Sequence, residues 1–168
     1  GVQTCALPIS GDDDAGTGTG GKAREVMKVL LDPCVVMDFL QNREPFSIPA
    51  RSIFRAAAAE WFTGCITAKA ATDIYYLTHR CTHSDKESRQ KLSQLFTIIG
   101  LLDTSAEDVF HAIASPTADF EDAVMIETAL RSQVDCIVTR NTKDYAKSSV
   151  PVYTPDVFLE QLEQKSIN

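Results

Sequence analysis

The residues of this chain best suited to chemistry are aspartates, and their spacing places them at the ends of apolar runs. Asp32 follows the apolar residues 29–31 directly. Asp119 and Asp122 stand three apart at the start of a helical pattern, which puts both on one face of its first turn. Asn141 and Asp144 lie in the polar run Thr139-Arg140-Asn141-Thr142-Lys143-Asp144 that ends the apolar residues 135–139, and Asp73 lies on a helical segment after the apolar residues 64–67. Carboxylates brought together repel one another unless they are protonated or bridged by a cation. An oxygen-only donor set suits a hard ion such as Mg2+ or Mn2+. The metal-ligand candidates are Asp32, Asp122, Asp119 and Asp144, and the chemistry such a group supports is metal-assisted hydrolysis.

Each of these residues also has a structural reading. Asp32 before Pro33 is a good helix cap followed by a proline at the first helical position. Asp119 can cap the helix that carries Glu121 and Asp122 in its first turn. Asn141 and Asp144 can make an ordinary turn, and Asp73 can be a solvated helix position. What favours the functional reading is the order of the elements. Strands are expected at residues 29–31, 64–67, 97–102, 135–139 and 152–153. Helices are expected at about 35–42, 51–61, 70–79, 86–96, 106–114, 120–131 and 156–162. Short apolar strands alternating with amphipathic helices predict an α/β fold, a three-layer sandwich with a central parallel sheet of about five strands flanked by helices. In such sheets ligands bind outside the carboxyl ends of the strands, where these acids fall.

Composition narrows the classes further. The chain has 168 residues and a formal net charge of −7, an acidic balance that argues against gripping nucleic acid through a broad basic patch. A nuclease remains possible, because metal ions held by carboxylates offset the repulsion of phosphate. No apolar run approaches the roughly 20 residues needed to cross a bilayer, so no membrane association and a cytoplasmic location are expected. Of the five cysteines none is spaced C-x-x-C, and Cys65 and Cys136 fit small core positions within strands. The segment His79-Arg80-Cys81-Thr82-His83 offers an i, i+4 histidine pair, but a tetrahedral zinc site needs a second ligand cluster that is missing. Cys34 stands where a haloacid-dehalogenase-type phosphatase needs its second acid, and no cysteine has the arginine six residues on that a cysteine phosphatase needs. No glycine-rich phosphate loop precedes a helix after residue 26.

Four blocks, Leu30-Leu31-Asp32, Ala118-Asp119-Phe120-Glu121-Asp122-Ala123, Thr139-Arg140-Asn141 with Asp144-Tyr145, and Pro151-Val152-Tyr153-Thr154-Pro155, stand in this order on the expected elements. Together they resemble the PIN domains, and among them the VapC-like toxin ribonucleases, over nearly all of residues 27–162. The resemblance implies a metal pocket of three or four acids and divalent-metal-dependent cleavage of single-stranded or structured RNA. It further implies a homodimer and a type II toxin neutralised by a cognate antitoxin. Asp32 and Asp122 match metal-ligating aspartates of the family. Asn141 stands where many relatives have a fourth aspartate, Asp144 is the acid of the same loop, and Asp73 lies near the family's glutamate on the helix after the second strand. The catalytic set so implied is Asp32, Asp73, Asp122, Asn141 and Asp144. Pro33-Cys34 in place of the usual Thr-Asn or Thr-Ser, and Asp73 in place of glutamate, leave one alternative: a catalytically degenerate PIN fold serving as an RNA- or protein-binding scaffold.

Residues 1–26 are read apart from this domain, which is taken to span 27–168. The low-complexity run at 11–21 has neither helical nor strand periodicity and is expected to be a disordered tail. Residues 2–9 back-translate to a sequencing-library adapter, which makes an adapter-derived artefact the other reading of this segment and Met27 the expected natural start.

Overall fold

The computed structural model describes residues 26–166, and the segment read above as tail or artefact lies, apart from its last residue, outside them. Among the described residues five strands and seven helices follow in the order β1 (Lys28–Leu31), α1 (Pro33–Leu40), α2 (Ser47–Ala58), β2 (Thr63–Thr67), α3 (Ala68–Thr82), α4 (Asp85–Leu95), β3 (Gly100–Leu102), α5 (Ala106–Ala114), α6 (Phe120–Arg131), β4 (Cys136–Val138), β5 (Val152–Tyr153) and α7 (Pro155–Ser166). The strands form one parallel sheet in the order β3-β2-β1-β4-β5. The chain winds outward from β1 through β2 to β3, then returns to the other side of β1 for β4 and β5. The switch point of the topology is therefore the gap between the carboxyl ends of β1 and β4, the place where open α/β sheets bind ligands.

The alternation of side chains along each strand divides the core between the two faces. Val29 and Leu31 point into a large cluster with Ile53, Phe54, Ile74 and Phe158, from α2, α3 and α7. Leu30 and Ile137 point the other way, against Met125, Ile126 and Ala129 of α6. All three apolar residues of β1 and both of β4's branched residues are fully buried, at about 1.5–3 kcal/mol of transfer free energy each. The expected sandwich with helices on both sides of a parallel sheet is what forms. Cys65 and Cys136 are buried cysteines packed on opposite faces, in keeping with the reading of small core residues.

Some boundaries differ from expectation. The third strand covers only residues 100–102; Thr97, Ile98 and Ile99 instead make turn hydrogen bonds back to Gln94 and Leu95. Ile99 is apolar because it is folded into the core beside Gly64, where a Cβ would lie 3.0 Å from Ile99 Cγ2. α2 begins at Ser47, four residues before the Ala-rich stretch, with Pro49 tolerated in its first turn. α3 runs through His79 and Cys81 to Thr82 and ends at His83 in the left-handed conformation (φ 53°). Among the described residues no three His, Cys, Asp or Glu side chains gather to hold a zinc ion there or elsewhere.

Candidate functional site

Asp32 is the first residue beyond β1, and its backbone N–H still donates to Val138 O of β4 at 3.0 Å, which fixes it at the switch point. Its side chain does two things. Oδ1 accepts from Cys34 N at 2.7 Å and caps α1, with Pro33 at the first helical position. Oδ2 accepts from Thr139 Oγ1 at 2.9 Å and from the Tyr145 hydroxyl at 3.0 Å. Capping and site geometry are thus properties of one carboxylate, so the two readings of Asp32 are compatible. Cys34 lies beside it, with its sulfur 3.8 Å from Thr139 Oγ1, and burial, followed by the Asp32 charge, pushes the thiol up to about 11.

The Tyr145 hydroxyl also lies 2.8 Å from Asp122 Oδ1. A phenol has one hydrogen and can donate to only one carboxylate at a time. Two half-buried acids from β1 and α6 therefore converge on a single buried hydroxyl. Burial raises the Asp122 carboxyl to about 6; donation from Tyr145 opposes the shift, and the charges of Asp119, Asp32 and Asp144 add to it. Burial, then the same two carboxylates, hold the Tyr145 phenol far above its ordinary range, so it is a neutral donor at any working pH.

The other expected residues take outer positions. Asp119 is the cap of α6, accepting from Glu121 N at 2.8 Å and Asp122 N at 3.2 Å, and it faces Asp122 as a charge. The Asn141 side-chain amide donates to the Asp144 carboxylate, and Asp144 N donates to Asn141 O at 3.2 Å, closing a turn on the exposed rim. Asp73 is held by Lys69 Nζ at 2.6 Å, and the same ammonium lies 3.0 Å from Glu121. Asp32, Lys69, Asp73, Glu121 and Asp122 line one cleft of about 210 Å³. Sequence reasoning assigned no role to Tyr145, Thr139 or Lys69. Tyr145 and Thr139 lay within a quoted block, and Lys69 stood four residues before Asp73 on a helix, a spacing that signals an ion pair.

The donor set fits a hard divalent ion. Asp32, Asp122, Thr139 and Tyr145 present oxygen at the switch point, with the Cys34 sulfur beside them, and burial followed by the neighbouring acid charges raises the Asp122 carboxyl. Mg2+ is commonly held through one or two carboxylates with water completing the shell. The pair Asp32 and Asp122 offers two such carboxylates, whereas the expected pocket of three or four acids does not gather as a metal-holding group among the described residues.

A PIN domain family model matches residues 28–143. Solved structures share the fold at low identity. VapBC2 from Rickettsia felis, bound to a DNA fragment from its promoter, is 13% identical with a TM-score of 0.58, covering 76% of this chain and 98% of that one. A toxin-antitoxin complex from Klebsiella pneumoniae is 21% identical with a TM-score of 0.58, covering 76% and 97%. VapC20 from Mycobacterium tuberculosis, a sarcin-ricin loop cleaving toxin, is 9% identical with a TM-score of 0.57, covering 73% and 98%. No curated protein sequence matches significantly. With the family model covering most of its length and this sheet beneath it, the chain belongs to the PIN domain family.

Proposed function

We propose that the chain is a divalent-metal-dependent endoribonuclease, the toxin of a toxin-antitoxin pair. The observation that carries the proposal is the convergence of Asp32 and Asp122 on the Tyr145 hydroxyl at the switch point of the sheet. Asp32 and Asp122 hold the ion, Mg2+ or Mn2+. When bound, that ion activates water for attack on phosphorus and neutralises charge on the phosphate oxygens. Tyr145 and Thr139 fix the Asp32 carboxylate, and the Asp119 cap sets the rotation of the first turn of α6 and so the direction of Asp122. Asn141 and Asp144 form the rim over which a single-stranded or unstacked segment of RNA enters. Asp73 acts through Lys69.

The partners follow from the same reading. Solved relatives in complexes with antitoxins support a cognate antitoxin for this chain. The exposed Val109, Phe110 and Ile113 of α5 support self-association into a homodimer. Among the described residues no helix is long and apolar enough to cross a membrane, and the site of action is the cytoplasm, where RNA is found.

The test is a cleavage time course on a mixed single-stranded RNA pool, with EDTA and metal add-back, for wild type and Asp122→Asn. Wild type is expected to cleave only with Mg2+ or Mn2+, and the variant to lose on the order of 100-fold or more, because affinity for the ion depends on the number of charged ligands. Cleavage that persists in EDTA, or an Asp122→Asn protein as active as wild type, refutes the mechanism. A folded wild type that cleaves nothing with either metal favours the scaffold alternative.

A further inference from the structure

The acids of the cleft are divided into two pairs that are joined in different ways. Asp32 and Asp122 meet at a neutral donor, the Tyr145 hydroxyl, whose single hydrogen cannot serve both. Asp73 of α3 and Glu121 of α6 meet at a charged donor, with Lys69 Nζ 2.6 Å from Asp73 Oδ2 and 3.0 Å from Glu121 Oε2. The first pair shares a neutral donor, whereas the second shares one positive charge between its two carboxylates. Lys69 stands in the first turn of α3, whose cap is Thr67, and a cation at a helix N-terminus works against the helix dipole. Within α3 only the (i, i+4) pair with Asp73 favours a lysine here, and the second contact, to Glu121, comes from α6. What accounts for it is the two carboxylates that two different helices bring to the same wall of the cleft.

Taking the metal-nuclease reading as its basis, we infer that Lys69 is the built-in counter-ion of the Asp73–Glu121 half of the cleft, so that this protein binds one divalent ion, at Asp32 and Asp122, and not two. An ammonium between two carboxylates occupies the place where a second ion would need those same oxygens. It offsets half of their charge without requiring metal and leaves its remaining N–H donor for a phosphate oxygen of the substrate. Lys69 is in this sense a positioning residue for the acids and a point charge for the RNA backbone.

The count of bound ions tests this directly. Mn2+ alone is titrated into the full chain, with free Mn2+ followed by electron paramagnetic resonance, for wild type, Lys69→Met and Lys69→Arg. Wild type and Lys69→Arg are expected to bind one Mn2+ per chain, Lys69→Met two, and Lys69→Met/Asp73→Asn one again. Two ions in wild type, or a single ion in Lys69→Met with its circular dichroism unchanged, overturns the inference while leaving the metal-dependent nuclease reading standing. No Mn2+ bound by any folded variant overturns the mechanism itself and the inference with it.

Discussion

The raised carboxyl of Asp122 predicts that a residue proposed here as a metal ligand lowers the stability of the metal-free protein. Its folded carboxyl stands at about 6, through burial first and then the charges of Asp119, Asp32 and Asp144, against an ordinary aspartate value of 3.8. The charged form is therefore disfavoured by folding. Below about pH 4 the group is protonated in both folded and unfolded chains and contributes no difference. As pH rises from about 4 to about 6 the unfolded chain loses its proton first, and stability falls; above about 6 the loss is complete. The full shift corresponds to about 3 kcal/mol, and the partial exposure of the group reduces this to roughly 1–2 kcal/mol. Asp122→Asn removes the charge and keeps an oxygen to accept from Tyr145. In EDTA near pH 7.5 the variant is expected to melt roughly 5 °C above wild type, and near pH 4 the two should melt together. Mg2+ should reverse the order at neutral pH, because only wild type gains binding free energy. Thermal melts followed by circular dichroism at both pH values decide the matter. A variant that melts below wild type in EDTA at neutral pH, or a difference that does not change with pH, would refute the reasoning.

Two further predictions concern buried charges that support the site from outside. Asp108, 1% exposed, caps α5 through Ser105 N at 2.8 Å and receives Arg131 of α6 at 2.7 and 2.9 Å and Thr128 at 3.0 Å. Burial pushes its carboxyl up, but Arg131, Ser105 and Thr128 together bring it down to about 2. Asp108→Ala should cost about 3–4 kcal/mol in urea unfolding at neutral pH, and the cost should shrink as pH falls from about 4 towards 2, where wild type takes up the proton. In α1, Asp38 is buried with Arg140 Nε 2.8 Å from Oδ2, while Oδ1 has no hydrogen-bond partner; burial raises this carboxyl and Arg140 opposes the shift. Arg140→Met should cost about 3 kcal/mol at neutral pH and less as pH falls and Asp38 takes up a proton, and Asp38→Leu in the same chain should recover most of it. A loss independent of pH, or no recovery in the double variant, would show that Arg140 contributes by its packing over Phe46 (4.3 Å) and not by its charge.

Hydrophobic periodicity made the frame legible, because a doubly covered parallel sheet writes its strands as unbroken apolar runs and its helices as amphipathic ones. Residues 29–31 and 136–138 were readable for this reason, and the acid at the end of β1 followed from the rule for open sheets. The same rule misplaced the start of β3, since Ile98 and Ile99 are apolar for packing against β2 and not for strand pairing; the sequence cannot distinguish these uses. Within the site, each acid could be assigned to an end of the sheet but not to a partner. Asp73 and Asp122 carry the same side chain on helices that border the same cleft. Yet one closes on a lysine and the other on a phenol shared with Asp32. That difference depends on side-chain direction across two helices, which spacing alone does not encode. Tyr145 was hidden for a similar reason: a tyrosine after a turn reads as core, and it is core, with only its hydroxyl in the site.

The two principal acids are not equivalent, and the difference follows from what each already holds. Asp32 caps α1 with one oxygen and ties β4 and the following loop to β1 with the other, through Thr139 and Tyr145. Removing it unties a helix start and a loop as well as a ligand, so inactivity of an Asp32 variant would say little about chemistry. Asp122 accepts from Tyr145, and the cap of its own helix is supplied by Asp119. Its carboxylate carries no structural bond that asparagine could not keep. The fold has thus placed its rigidity at Asp32 and its unbalanced charge at Asp122. On the proposed reading, a cation at the switch point would meet one carboxylate fixed in direction and another whose charge burial and neighbouring acids disfavour, which would couple affinity for the ion to relief of that cost.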